Sequence, residues 1–207
     1  MKKNRLVLIF IFSLILIFLL GVLLVTRNVQ HTEQKNMLNM SINKNLGGDF
    51  ILPSTLGKPL DSMSLRGQIT LITFGYANCA EICPIGLMQL HEVIKGLDEK
   101  TNHLNVIFVS FDSSNDLNNL SNYLHKFDPS IIGVAGSEDE IAYLTKRFGV
   151  VYPKERNLEG GASFDHNGFI YLLDQLGHIR AIYQNRTPVK RIISDIQSLQ
   201  RVSCCDK

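Results

Sequence analysis

The chain has 207 residues, 45% of them hydrophobic and 19% charged, with a formal net charge of +2. This composition excludes a disordered or fibrous chain, and with no Lys/Arg block beyond the extreme N-terminus nothing in it recruits nucleic acid. The length suits one ordinary domain with extensions.

Residues 1–5 form a basic leader in which Lys2, Lys3 and Arg5 precede "LVLIFIFSLILIFLLGVLLV", residues 6–25. That uncharged run is long enough to cross about 30 Å of hydrocarbon. It exceeds the usual apolar region of a signal peptide, and the "VTRNVQ" after it lacks a small-x-small cleavage pattern, so an uncleaved transmembrane helix is expected. Charges ahead of the run hold the leader in the cytoplasm and export the remainder of the chain. The leader leaves no room for an Arg/Ser-rich transit peptide, which favours a bacterial inner membrane, crossed once, with the C-terminal domain on the periplasmic or outer side. Residues 26–46 are polar and without period, as in a stalk.

The folded domain is expected over residues 47–200. "FILPSTLGKPL" predicts a hairpin around Gly57, and "ITLITFGY" a strand buried on both faces. Leu87, Leu90, Ile94 and Leu97 then recur at helical spacing. "LNVIFVSF" is a second buried strand, followed by the helical stripe Leu117, Leu120, Leu124 and Phe127. "IIGVAG" is a third, after which Ser137 and Glu140 make a capping box for "EDEIAYLTKRF", closed by Gly149. "FIYLLDQLGHIRAIY" predicts two strands about a Gly177 turn, and "TPVKRIISDIQSLQ" a helix with N-cap Thr187 and Pro188 at its first position. The order hairpin, βαβαβα, hairpin, helix predicts an α/β domain, a mixed central sheet flanked by helices.

Chemistry concentrates in "GYANCAEICPIGLMQL", residues 75–90. Cys79 and Cys83 are spaced i, i+4, on one face of a helical turn, a geometry open to a disulfide or to one shared metal. Pro84 fits the first turn of a helix, so the pair is expected at a helix N-terminus, where free N–H groups and the dipole favour thiolate. A purely structural disulfide across so short a loop would stabilise weakly. Two thiolates suit Cu(I), whereas Cu(II) or tightly held Zn(II) wants added nitrogen ligands. Of the six histidines, His31 lies in the stalk, His91 and His125 in helices, His103 at a strand start and His178 in a turn, where packing or surface roles suffice. His166 differs, standing beside Asp165 in a glycine-bounded loop just before a strand.

"FGYANCAEICPIGL" resembles the FGYxxCxxxCP signature of the Sco/SenC proteins, and "FDHNGFIYLLDQLGHI" resembles that family's segment carrying its single copper-binding histidine. The opening Gly47, Gly48, Phe50, Leu52 and Gly57 is also similar, and the resemblance extends over residues 47–200. It implies a thioredoxin-like domain that binds copper, as Cu(I) and Cu(II), through Cys79, Cys83 and His166. It further implies a chaperone rather than an enzyme, helping to metallate the copper centre of a haem-copper (cytochrome c) oxidase. Its partners would be the oxidase subunit carrying that centre, with other copper chaperones or a thiol reductant. Ala80 and Glu81 stand where the family commonly has Pro-Asp, Asn78 where it often has His, and "DSSNDLN" from Asp112 lacks the usual proline.

A rival expectation is a thiol–disulfide oxidoreductase, in which Cys79 and Cys83 form a redox-active disulfide that reduces an acceptor's cysteines. Against it, three residues rather than two separate the cysteines, and no proline precedes "FIYLL" where thioredoxins place their cis-proline. A peroxidase reading fails for want of an arginine beside Cys79. Residues 201–207 form a tail whose vicinal Cys204 and Cys205 are expected to be incidental to the metal site. Asp61, Asp112 and Asp116 stand near element ends, where caps and turns account for them.

Overall fold

The computed structural model describes residues 12–13, 15–16, 18–21, 46–77, 82–97, 104–113, 117–150 and 168–203. Contacts divide the chain into two units, Met1–Ser41 and Ile42–Lys207. In the first, the described residues between Phe12 and Gly21 are helical and expose Phe12, Ile15, Leu16, Phe18, Leu19 and Leu20. Among the described residues no helix is long and apolar enough to cross a membrane. The rest of the predicted span, the leader and nearly all of the stalk lie outside them.

In the second unit, β1 (Ile51–Leu52) pairs with β2 (Leu60–Asp61) as the expected hairpin, and Gly57 takes a φ of 75° in its turn. Asp61 caps the adjoining 3-10 turn, Ser62–Leu65, by accepting from the Met63 N–H at 2.8 Å. Then come β3 (Ile69–Gly75), α1 (Ile82–Gly96), β4 (Leu104–Ser113), α2 (Leu117–Leu124), β5 (Ile132–Gly136), α3 (Glu138–Phe148), β6 (Ile170–Leu173), β7 (Ile179–Tyr183) and α4 (Val189–Ser203). The element order is the one the sequence predicts.

β3, β4 and β5 run parallel, and β6 and β7 are antiparallel, in a five-stranded sheet ordered β5-β4-β3-β6-β7. Alternation along each strand divides the core in two. Ile69 and Leu71, Val106 and Phe108, Ile170 and Leu172 pack on the side of α1, α2 and α4. Ile72 and Phe74, Ile107 and Val109, Tyr171 and Leu173 pack on the side of α3 and the hairpin. Cover on both faces is the reason these strands read as unbroken apolar runs.

Local signals set most boundaries. The Ser137–Glu140 capping box opens α3, and Gly149, at φ 68°, closes it. α2 stops at Leu124 rather than running to Phe127, because Asp128 turns the chain: its Oδ1 accepts from Ser130 N–H at 2.9 Å and from Ser130 Oγ at 2.6 Å. α4 opens at Val189, one residue later than the Thr187–Pro188 reading, since the Thr187 hydroxyl donates to the Gln184 carbonyl at 2.8 Å instead of capping the helix.

α1 and α4 run in the same direction. Gly86 lies against Asn185, Gln89 Nε2 donates to the Thr187 carbonyl, and Gly96 lies against Ile193, so later residues of one helix meet later residues of the other. α4 is fastened beneath by Asp195, whose Oδ2 accepts from Tyr183 at 2.9 Å and from Arg191 Nε at 3.0 Å. Burial, and then the carboxylate, push the Tyr183 phenol far up, so it stays a donor.

The seating of α2 and its end carries two predictions. A Cβ at Gly133 would lie 2.8 Å from both Leu120 Cδ2 and Leu124 Cδ1, so Gly133→Ala is expected to cost about 1–3 kcal/mol in urea unfolding by forcing α2 off β5. The second concerns Asp128, whose Oδ2 meets His91 Nδ1 at 2.9 Å. Burial pushes its carboxyl up, but the Ser130 hydrogen bonds and His91 outweigh that and hold it below its ordinary 3.8. A depressed folded-state value adds stability that is complete above the unfolded value and lost as pH falls through the folded one. The stability gap between wild type and Asp128→Asn, from urea titrations, should therefore be full at pH 6 and shrink below about pH 4.

Candidate metal centre

The site is built at the end of β3. That strand carries seven buried residues and stops at Gly75, and α1 begins at Ile82 with Cys83 in its first turn. Pro84 is tolerated there because first-turn N–H groups have no intrahelical partner. Cys83 is buried, 7% exposed, and its sulfur is tucked against the strand end: a Cβ on Gly75 would lie 2.6 Å from Sγ and 2.8 Å from Phe108 Cζ. A glycine is thus required where the strand meets the helix. The free N–H groups of the first turn and the helix dipole favour the thiolate there.

β6 comes to the same place from the other direction. Its antiparallel register on β3 sets Thr73 opposite Ile170, and Thr73 Oγ1 donates to the Phe169 carbonyl at 3.1 Å. The chain entering β6 is thereby held at the end of β3 from which the cysteine segment departs. An aromatic group braces this end on the opposite face: Phe74 has ring centroids 5.3 Å from Phe148, 5.8 Å from Tyr171 and 6.3 Å from Phe111, and Phe169 lies 6.3 Å from Tyr171. Burial pushes the Tyr171 phenol up to about 12, so it is neutral and takes no part in proton chemistry near pH 7.

Cys83 is the predicted ligand that falls among the described residues. Cys79, His166 and Asp165 lie outside them, as do His31, His103, Asp116, Cys204, Cys205 and the side chain of Asp112. Cys79 stands four residues beyond Gly75, and His166 four residues before Ile170. Among the described residues there is no group of three His, Cys, Asp or Glu side chains able to hold a metal.

The sequence model of the SCO1/SenC family matches residues 39–201. The chain belongs to that family. A SCO2-like protein of Rickettsia conorii is 31% identical over 150 residues, covering 70% of this chain and 73% of that protein. Among solved structures, Bradyrhizobium japonicum ScoI with copper bound is 32% identical at a TM-score of 0.66, covering 74% of this chain and 99% of that one. Yeast Sco1 with copper bound is 31% identical at a TM-score of 0.63, covering 74% and 90%.

In this SCO1/SenC chain the remaining described histidines are engaged locally or exposed, and His125, expected within a helix, falls beyond its end because α2 stops at Leu124. His91 pairs with Asp128, His125 is exposed in the turn after α2, and His178 is exposed with Nδ1 3.7 Å from Asp174. Gly75 and Phe108 escape the sequence reading. The signal for Gly75 was present, a glycine ending an otherwise β-branched and aromatic strand, but nothing local says that a sulfur would occupy the vacated space. Gly75→Ala, with Cys204→Ser and Cys205→Ser to silence the tail, should lose about 1–3 kcal/mol of stability. It should also change the iodoacetamide alkylation rate of Cys83, read by mass spectrometry, whereas an unchanged rate would mean the sulfur does not depend on Gly75.

Proposed function

We propose that this SCO1/SenC protein is a membrane-anchored copper chaperone that holds the ion through Cys79, Cys83 and His166 and delivers it to the copper centre of a haem-copper oxidase. The observation that carries the reading is the β3–β6 pairing. The segment bearing Cys79 and Cys83 leaves β3, and the segment bearing His166 enters β6, at one end of the sheet. Four residues on either side reach at most roughly 14 Å, so covalent geometry keeps all three residues near that end. The copper held by Bradyrhizobium ScoI and yeast Sco1 supports copper as the cargo.

The donor set fits its cargo. A cysteine sulfur at a helix start, lying with Phe108 Cζ around the space that a side chain on Gly75 would fill, offers a soft ligand beside apolar groups. Two thiolates suit Cu(I), and an imidazole adds the nitrogen that Cu(II) requires. Three ligands leave a coordination position through which an acceptor's ligands can enter, so cargo passes by substitution rather than by free release. The apolar run at residues 6–25 would tether the domain to a bacterial membrane beside its acceptor.

The same pair supports a second activity, because Cys83, buried at a helix start, stands as a resolving thiol does. An acceptor disulfide would take two electrons and two protons from Cys79 and Cys83, leaving them joined and the acceptor's own ligands reduced. Which activity operates is read from one set of measurements on the reduced full chain. Wild type is expected to bind about one copper at this site, Cys79→Ser with Cys83→Ser none there, and His166→Ala to lose the Cu(II) absorption and EPR signal while keeping weaker Cu(I). Negligible copper with catalytic reduction of a test disulfide would transfer the assignment to the oxidoreductase. Cys204→Ser with Cys205→Ser should leave the Cu(II) spectrum unchanged, since α4 runs parallel to α1 and ends at Ser203, away from the first turn that holds Cys83.

A further inference from the structure

Two local rules are broken together beside the Cys83 turn. Gln184–Thr187 form a tight turn closed by Thr187 N–H donating to the Gln184 carbonyl at 3.0 Å. Its third residue, Arg186, has φ 74°, a conformation that favours glycine or asparagine and that no other non-glycine among the described residues adopts. Directly afterwards α4 opens with no acidic residue in its first turn and with Lys190 and Arg191 at the end where the helix dipole disfavours cations. Arg191 is absorbed by Asp195 at 3.0 Å. Arg186 and Lys190 are exposed, and no side chain pairs with either among the described residues.

The turn is held in place from α1. Gln89 Nε2 donates to the Thr187 carbonyl, and Gly86 lets Asn185 approach, since a Cβ there would lie 3.1 Å from its Oδ1. On the helical wheel Ile85 lies between Gln89 and Met88, so the turn borders an exposed apolar pair, Ile85 at 39% and Met88 at 62% exposure. Neither residues 82–91 nor residues 184–194 contain an aspartate or glutamate. The described surface beside Cys83 is therefore apolar at Ile85 and Met88 and cationic on its α4 side, at Arg186 and Lys190, while the exposed Glu92 lies one turn further along α1 from Met88.

We infer that the Gln184–Thr187 turn, with Arg186 and Lys190, is the docking rim for an acidic-faced copper-acceptor protein, and that Ile85 and Met88 are the apolar contact within it. A strained backbone that presents an unpaired cation is retained where the cation meets something outside the chain. Steering by such a rim acts on the rate of encounter and weakens with salt. The choice of partner rests on the chaperone reading above, and the docking itself is measurable without copper.

The test uses the copper-free full chain in nanodiscs and the soluble copper-acceptor domain of the oxidase subunit, with association followed by biolayer interferometry at low and high salt. Arg186→Glu should slow association about tenfold at low salt, and the difference should shrink as salt rises. Arg186→Gly, which relieves the backbone, should melt no lower than wild type yet associate severalfold more slowly. Wild-type rates in both variants would overturn the inference, as would a wild type that does not bind the acceptor domain. Variants that alter only concentration-dependent self-association would overturn it in favour of a second copy of the chain. Copper loading, measured separately, tells against the chaperone reading if wild type holds none, while the copper-free association still decides the docking.

Discussion

The antiparallel pairing of β6 on β3 is the constraint on which the rest of the domain turns. Thr73 and Phe169 are 96 residues apart in sequence and are joined by one hydrogen bond, with Thr73 and Ile170 directly opposite in the ladder. Between them the described chain runs through α1, β4, α2, β5 and α3 before it returns to the end of β3 that it left. The segment that leaves β3 after Gly75 and the segment that enters β6 at Ile170 thereby meet at one end of one sheet. A slip of one residue in that register would exchange Ile170 and Leu172 with Tyr171 and Leu173 between the two cores. The apolar packing on both faces therefore protects the chemistry as well as the fold.

The second constraint is close approach. Gly75 admits the Cys83 sulfur, Gly86 admits Asn185, and Gly96 admits Ile193. Without these three, α1 could lie neither so near the strand end nor so near α4. The result is a thiol that is almost fully buried yet sits at the polar start of a helix, a combination that favours soft-metal ligation and disulfide exchange alike. Both readings of the cysteine pair draw on this geometry, which is why copper stoichiometry and thiol turnover have to be measured together.

Much was legible beforehand because local rules and tertiary structure agree here. Periodicity marked every major element from the first buried strand onward, the Ser137–Glu140 box and Gly149 delimited α3, and Gly177 turned the last hairpin. Family resemblance rested on two short motifs, and the SCO1/SenC match over residues 39–201 bears out the family. The helix ends that shifted did so for reasons outside the window of local pattern. Asp128 stopped α2 through Ser130, and Thr187 spent its hydroxyl on Gln184.

Sequence by itself determined the class of fold, the order of elements, the i, i+4 spacing of Cys79 and Cys83 and the apolar run that precedes the domain, since each depends on residue type and short-range spacing. Tertiary structure alone decided which ends of which strands meet, that Cys83 is sheltered by Gly75 and Phe108, and that α1 and α4 run parallel with the Arg186 turn beside the cysteine helix. Apart from Gly75 and Cys83, eight positions apart, those are contacts between residues tens of positions apart. Their geometry comes from register and close packing of the whole sheet, to which no local window has access.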